Sequence, residues 1–408
     1  MKVFNYIPNY FSYDKPKYKI MYILFLFFYG LNISFGQEEW KFTNGVVEGN
    51  QFDVVSFKNK LYIIAAHYYE LDTLGNIVFE DNKIEDLRQK PMDYEPAIGV
   101  SKNGTVHTLT REGGSWNEGH ILNYSKKDST DNWLIRNMQF SEPVKRNYVV
   151  GIAALDNGDA YLVHTDPTGQ EDIHNLFSFY EATPKGIQGL GKFETSYSRL
   201  DANFQMRYNN GKVYLLSGNP WPNGSIWYFN ALVGTDFINQ LEASKKDISQ
   251  GIGRKSNPDI TFNEDGTGIY SYGSFQSVYY NLIKKGNRLY TKDRLLFSDL
   301  GEWHLSSGLS AVSSLSGGEI IMAIALKSRP DLCNDDESCK AKMNIGEIVY
   351  KYSIDGGVHW TDTRSTQKYT NAGEGRSIPK LVAINNTFYL FYSDKGKLDM
   401  GKFSIPND

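Results

Sequence analysis

Two cysteines in 408 residues exclude a scaffold built on disulfides, and 13 prolines exclude a proline-rich linker. No Gly-rich phosphate loop, no nucleophile elbow and no metal-binding histidine pair is present, so cofactor and zinc chemistry lack their usual supports. No cofactor is expected, and a structural calcium is left open. The 43 Lys and Arg against 47 Asp and Glu give a formal charge of −4, without the basic excess that nucleic acid selects. Helical periodicity is nearly absent, and no apolar run reaches the roughly 20 residues needed to span a membrane.

What is present is apolar and aromatic material for a large core, with 14% Phe, Trp and Tyr. The first 36 residues have the build of a signal peptide. Lys15, Lys17 and Lys19 precede the apolar run Ile20 to Phe28, and Ser34-Phe35-Gly36 supplies small residues at a cleavage position. The mature chain is then residues 37–408, a single domain, exported to the periplasm or secreted. Losing Lys2, Lys15, Lys17, Lys19 and Asp14 takes the formal charge from −4 to −7. Export makes a local disulfide between Cys333 and Cys339 the expectation for the loop DLCNDDESCKAK.

A repeat organises the mature chain. A short strand, a tight Asn/Gly turn and a second strand recur as VVSFKNKLYII, AIGVSKNGTVHTL, GIAALDNGDAYLV, FQMRYNNGKVYLL, DITFNEDGTGIYS, AVSSLSGGEIIMA and LVAINNTFYLF. Their turns centre on Asn59, Gly104, Gly158, Gly211, Gly266, Gly318 and Asn386. Alternating apolar residues around such turns make β-hairpins, because Asn and Gly tolerate the positive φ that the turn requires. Third strands follow in LNYSKKD, LFSFYEA, IWYFNAL, VYYNLIK and IVYKYSI. Four strands in units of about 50 residues, seven times over, predict an all-β, seven-bladed β-propeller of four-stranded antiparallel blades. A β-sandwich is the competing architecture, but its strands would not recur as seven similar hairpins.

In such a disc the inner strand starts, and the second strand ends, on one face. The positions ten and nine residues before each turn centre are Gly49-Asn50, Tyr94-Glu95, Tyr148-Val149, Asp201-Ala202, Ser256-Asn257, Gly308-Leu309 and Arg376-Ser377. Second strands are expected to end near His67, Arg111, His164, Asn219, Lys327 and Asp394, and the following loops re-enter strand three at His120 and His174. A carboxylate, a phenol and a guanidinium at the narrow end of a channel are costly unless paired or used, which singles out Glu95, Tyr148 and Arg376. Trp116 and Trp221 are positioned to stack on sugar rings or simply to pack their loops. His107 shares its register with Tyr62, Tyr161, Tyr214 and Tyr389, which marks it as packing between blades.

Ser353-Ile354-Asp355-Gly356-Gly357-Val358-His359-Trp360 fits S-x-D-x-G-x-x-W, and looser echoes end at Trp133 (DSTDNW) and Trp303 (SDLGEW). This pattern resembles the Asp box of sialidase-type propellers, a structural turn between the third and fourth strands. Within that group, DYEPAIGVSKNGTVHTLTREGG with GHILNYSKKD, and SRLDANFQMRYNNGKVYLLSGNPWPNGSIWYF, resemble the second and fourth blades of seven-bladed ulvan lyases. The resemblance implies β-elimination on uronate-containing polysaccharide, with a histidine or tyrosine moving the proton and an arginine neutralising the uronate. The sequence departs from that pattern at Tyr94-Glu95, where the family has a histidine, and at Ala202-Asn203, where it has a tyrosine.

The expected function is therefore a carbon-oxygen lyase acting on an acidic poly- or oligosaccharide, either cleaving the chain or dehydrating an oligosaccharide end. Its expected catalytic residues are His164, His120, Tyr148 and Glu95. Arg111, Arg376, Asn257, His67, His174, Asn219 and Trp221 are expected to bind substrate. A sialidase-like glycosidase using Glu95, Tyr148 and Asp201, and a non-catalytic glycan-binding propeller, are the alternatives. A monomer is expected, without a nucleic-acid partner and without a membrane span once the leader is removed.

Overall fold

The computed structural model describes residues 40–86, 96–112, 121–141, 150–168, 174–195, 204–219, 224–251, 253, 255–263, 265–301, 309–333, 345–371 and 378–405. The unit Trp40–Phe403 is a seven-bladed β-propeller. All seven hairpins read from the sequence are its inner two strands, beginning with Asp53–Phe57 and Lys60–Ile64 and ending with Lys380–Ile384 and Thr387–Asp394. The seven inner strands touch in a closed ring, each against the next and the last against the first. Positive φ is used where the hairpins demand it. At Gly266 and Gly318 (φ +85° and +72°) a Cβ would also collide with Asn210 and Asn263, the turn residues of the preceding blade.

The ring closes through the two ends of this unit. Lys41–Glu48 is the outer strand of the seventh blade, paired antiparallel with Lys397–Ser404. Its segment KFTNGVVE precedes the first hairpin, so the repeat does not reveal it. The fifth blade takes its outer strand in two pieces, Asn287–Arg288 and Arg294–Phe297, both paired with Ser277–Lys284. One seven-residue helix, Phe237–Ala243, is present among the described residues; it joins strands three and four of the fourth blade and presses Phe237 onto Tyr161 and Phe179 of the third. No helix of the described residues is long and apolar enough to cross a membrane.

The core is a set of layers between neighbouring blades. Met206, Leu215 and Phe229 of the fourth blade interleave with Val163, Phe177 and Phe179 of the third, and the same arrangement joins the seventh to the first through Phe391, Tyr389, Val54 and Ile63. Alternation puts one face of each strand into the layer on either side, which is why blade strands read as nearly continuous apolar runs.

The Asp-box segment forms the turn between strands Ile345–Ser353 and Arg364–Asn371. Asp355 Oδ1 accepts the backbone N–H groups of Val358 (3.1 Å) and His359 (2.9 Å), and the hydroxyl of Ser353 (2.8 Å). Trp360 lies edge-on to Tyr280 of the fifth blade, and the Gly357 carbonyl accepts both the Tyr280 hydroxyl (2.9 Å) and Trp360 Nε1 (3.2 Å). The turn thus rivets one blade to the next. The echo at Asp128 has the same construction: its Oδ1 accepts Thr130 and Asn132 N–H (both 2.9 Å), and Trp133 packs edge-on to Tyr68 of the first blade. A third such turn, at Asp72 with Leu74 and Asn76, carries no tryptophan and escaped the motif search. SDLGEW differs from expectation. It follows the outer strand Arg294–Phe297 instead of lying in a strand-three to strand-four turn, and Trp303 lies outside the described residues.

Candidate functional site

The inner strands converge on a channel whose waist carries four charges. Asp53, Arg207, Asp259 and Lys380, from blades one, four, five and seven, line both the part towards the strand starts and the part towards the hairpin turns. Each aspartate ties its own strand to the adjacent blade. Asp53 accepts Val54 N–H (3.0 Å) and, across the blade boundary, Ile98 N–H (3.1 Å). Asp259 accepts Ile260 N–H (2.9 Å) and, likewise across the boundary, Val312 N–H (3.0 Å). Lys380 Nζ stands 3.9 Å from Asp53 Oδ1. Burial pushes the Asp259 carboxyl above the usual carboxylate range, against the opposing pull of Lys380 and Arg207. These four side chains fill the middle of the channel and separate its two ends.

The rim at one end is where the inner strands begin. The pairs counted back from the turns fall just before the observed strands in most blades: Val149 adjoins Val150–Ala154, and Leu309 adjoins Ser310–Ser314. In the fifth blade the strand starts earlier, at Lys255, and Asn257 sits at a bulge with φ +52°, where the register slips between Ser256 and Asp259. Glu95, His120, Tyr148, Trp116, Trp221 and Arg376 lie outside the described residues, as do Cys339 and the side chains of His174 and Asn219. The strands that carry the last two are described: His174 opens strand three of the third blade, and Asn219 closes strand two of the fourth.

His164 is the best-defined candidate. Strand two of the third blade runs to Thr168, four residues further than expected, so His164 is inside the sheet, opposite Val150. It is 4% exposed, its ring is stacked with that of Tyr180 (centroids 5.6 Å apart) and edge-on to Phe140, and Nε2 is 3.1 Å from the Tyr180 hydroxyl. Nδ1 is buried with no side-chain hydrogen-bond partner among the described residues, and the Thr165 backbone acts on the ring against the effect of burial. Burial lowers its pKa to about 4, so the imidazole is neutral near pH 7.

Arg111 is also buried, but its guanidinium is engaged. Nε and Nη2 donate to the two oxygens of Asp86 (3.1 and 2.7 Å), and the Arg111 backbone N–H donates to the same carboxylate (2.9 Å). Asp86 immediately follows the outer strand of the first blade, and His67 pairs with Glu85 at its end. His67 opens strand three instead of closing strand two, because the first blade turns early, at Ala65-Ala66. Its ring is edge-on to Tyr69, and its Nδ1 is likewise buried without a hydrogen-bond partner among the described residues. His107 is fully buried and held inside its own blade, 2.7 Å from the Tyr124 hydroxyl and 3.2 Å from Ser101 Oγ, with burial lowering its pKa to about 3.

Sequence reasoning missed Tyr180, Asp86, the four waist charges and Lys255, which is buried where the fifth inner strand starts. The waist had a signal: a charged residue inside an otherwise apolar inner strand, as in FDVVSF and PKLVAI, has to face the channel. Tyr180 had none, since its contact with His164 depends on strand pairing.

No family model matches this chain, and no curated protein matches it. Solved structures do. An ulvan lyase of a new polysaccharide lyase family superposes with a TM-score of 0.52 at 10% identity, over 88% of this chain and 93% of that one. The same kind of enzyme bound to a glucuronate–rhamnose-3-sulfate unit gives 0.50 at 10% identity over the same shares. An α-L-arabinanase of Penicillium chrysogenum in complex with arabinobiose gives 0.45 at 10% identity, over 76% of this chain and 92% of that one. At these identities the likeness is one of fold.

Proposed function

We propose that this chain is an exported, carbohydrate-active propeller that performs β-elimination on a uronic-acid-containing glycan at the rim where the inner strands begin. The observation that carries the reading is the His164–Tyr180 pair: a buried, neutral imidazole hydrogen-bonded to a half-buried phenol, with no side-chain partner on its second nitrogen among the described residues. Elimination requires those two functions. The C5–H bond breaks as a base takes the proton, the electron pair forms the C4–C5 double bond, and the C4–O bond breaks as an acid protonates the departing oxygen. His164 serves as the base and Tyr180, or Tyr148 at the start of the same blade, as the acid.

The proton on C5 is only weakly acidic beside a carboxylate, so a cation must offset that charge in the transition state. Asp86 cancels most of the charge of Arg111, which assigns Arg111 to positioning the rim and leaves Arg376 as the uronate partner. His120 and Glu95 stay as candidates for proton transfer, and Asn257, His67, His174, Asn219 and Trp221 for binding. The likeness to two ulvan lyase structures supports this choice of chemistry as analogy of fold. Export, and a Cys333–Cys339 bridge, belong to the same reading through the leader-like first 36 residues.

The test is incubation of the purified protein with uronic-acid oligosaccharides while ultraviolet absorbance of the unsaturated uronate is followed. A rise that disappears in His164→Gln supports elimination. New reducing ends without absorbance would replace the reading with hydrolysis, and no product from any uronate substrate would leave a binding propeller.

A further inference from the structure

The other end of the channel is a separate cavity. It has a volume of about 210 Å³ and opens towards the hairpin turns, between the inner strands of blades one, five, six and seven, with Arg207 reaching in from blade four. Two cations, Arg207 and Lys380, and four hydroxyl-bearing residues, Ser56, Thr261, Ser313 and Ser314, line it, with Val55, Val312 and Val382 as its apolar walls. The two carboxylates that share the lining are already occupied. Each oxygen of Asp53 and Asp259 accepts a backbone N–H, Asp53 faces Lys380 at 3.9 Å, and burial pushes the Asp259 carboxyl towards its neutral form, which leaves Arg207 as the cation without an ion pair among the described residues.

Arg207 is different. Its one hydrogen bond among the described residues is from Nη1 to the Met206 carbonyl (3.1 Å), and it forms no ion pair with any of them. A half-buried guanidinium with most of its five N–H groups uncommitted, next to a buried lysine and in a hydroxyl-lined cavity, is a fork for an oxyanion. The volume lies below the roughly 300 Å³ at which pockets for larger ligands begin, which limits the ligand to a small one.

We propose that this end of the channel binds a small oxyanion, either tetrahedral (sulfate or phosphate) or the carboxylate of a single sugar acid, with Arg207 as the bidentate donor and Lys380 as the second charge. The site stands apart from the rim and does not depend on the elimination chemistry.

The experiment is thermal unfolding and calorimetric titration of the full mature chain with sodium sulfate, sodium phosphate and sodium glucuronate, each at ionic strength held constant with sodium chloride. The expected result is saturable binding, with a rise in Tm, that Arg207→Gln abolishes and Arg207→Lys weakens about tenfold or more. Preference for sulfate and phosphate identifies the tetrahedral ligand, and preference for glucuronate the carboxylate. Should Arg207→Gln fail to fold, crystals of the unmodified protein grown with selenate locate the anion by its anomalous scattering. Absence of saturable binding by all three anions, binding unchanged in Arg207→Gln, or selenate seated only elsewhere overturns the proposal.

Discussion

Replacing Asp259 tests how the waist holds the blades together. Its two oxygens accept Ile260 N–H in its own strand and Val312 N–H in the next blade, and the residue is half-buried on the channel wall. Asp259→Ala leaves both amide donors without an acceptor. Each orphaned buried donor costs about 1–3 kcal/mol, or about 2–6 kcal/mol for the pair, less what is recovered by no longer burying a carboxylate. Asp259→Asn keeps one carbonyl oxygen but turns an NH₂ group on the other amide, so about half of that loss is expected. Urea denaturation followed by tryptophan fluorescence measures both, with the midpoint falling at constant slope. The pH dependence separates this from simple cavity formation. Because burial raises the Asp259 pKa, the folded state binds that proton more tightly than the unfolded chain does. The favourable contribution is complete below the ordinary carboxylate value of 3.8 and is lost as pH rises through the raised one. The Asn variant lacks that component. A stability of Asp259→Ala within about 0.5 kcal/mol of the parent, or an Asn variant as unstable as the Ala variant, would refute the tie between blades.

Three other outcomes follow from the same geometry. Tyr180→Phe should leave the fold intact and lower elimination activity by about 10²–10⁴-fold if the phenol transfers a proton; unchanged turnover would remove Tyr180 from the site. His164→Gln should also flatten the acid limb of the stability profile, since an imidazole whose pKa is lowered to about 4 contributes stability present above the unfolded value of 6.5 and lost as pH falls from there through about 4. Urea midpoints at several pH values between those limits give that slope. Asp86→Ala should cost about 3–5 kcal/mol by taking the bidentate partner from a buried guanidinium, while the double variant Asp86→Ala with Arg111→Met should recover part of the loss. If the double variant is no more stable than the single one in the same urea assay, the cost does not come from the unpaired charge.

The fold was legible because its information is local and repeated. An Asn/Gly turn such as Asn210-Gly211 between FQMRY and KVYLL specifies a hairpin without reference to the rest of the chain, and seven of them leave few architectures. The Asp box was readable for the same reason, since Ser353 bonds to Asp355 and Trp360 to the Gly357 carbonyl within eight residues. Closure by Lys41–Glu48 was not, because its partner Lys397–Ser404 lies at the far end of the unit and the pairing leaves no local mark.

For the site, the sequence placed His164 and Arg111 on second strands and His107 in the register of the packing tyrosines; the structure buries His107 as expected but holds it within its own blade, on Ser101 and Tyr124. Only the tertiary structure decided their chemical states. The register between strands two and three brings Tyr180 to His164; the turn from the first blade into the second brings Asp86 to Arg111 and spends its charge; the ring of inner strands gathers Asp53, Arg207, Asp259 and Lys380 from four blades into one waist. Hydrogen bonding, desolvation and charge pairing act over about 3–6 Å through space, a separation that residues 16 to 327 positions apart in the chain reach only after folding.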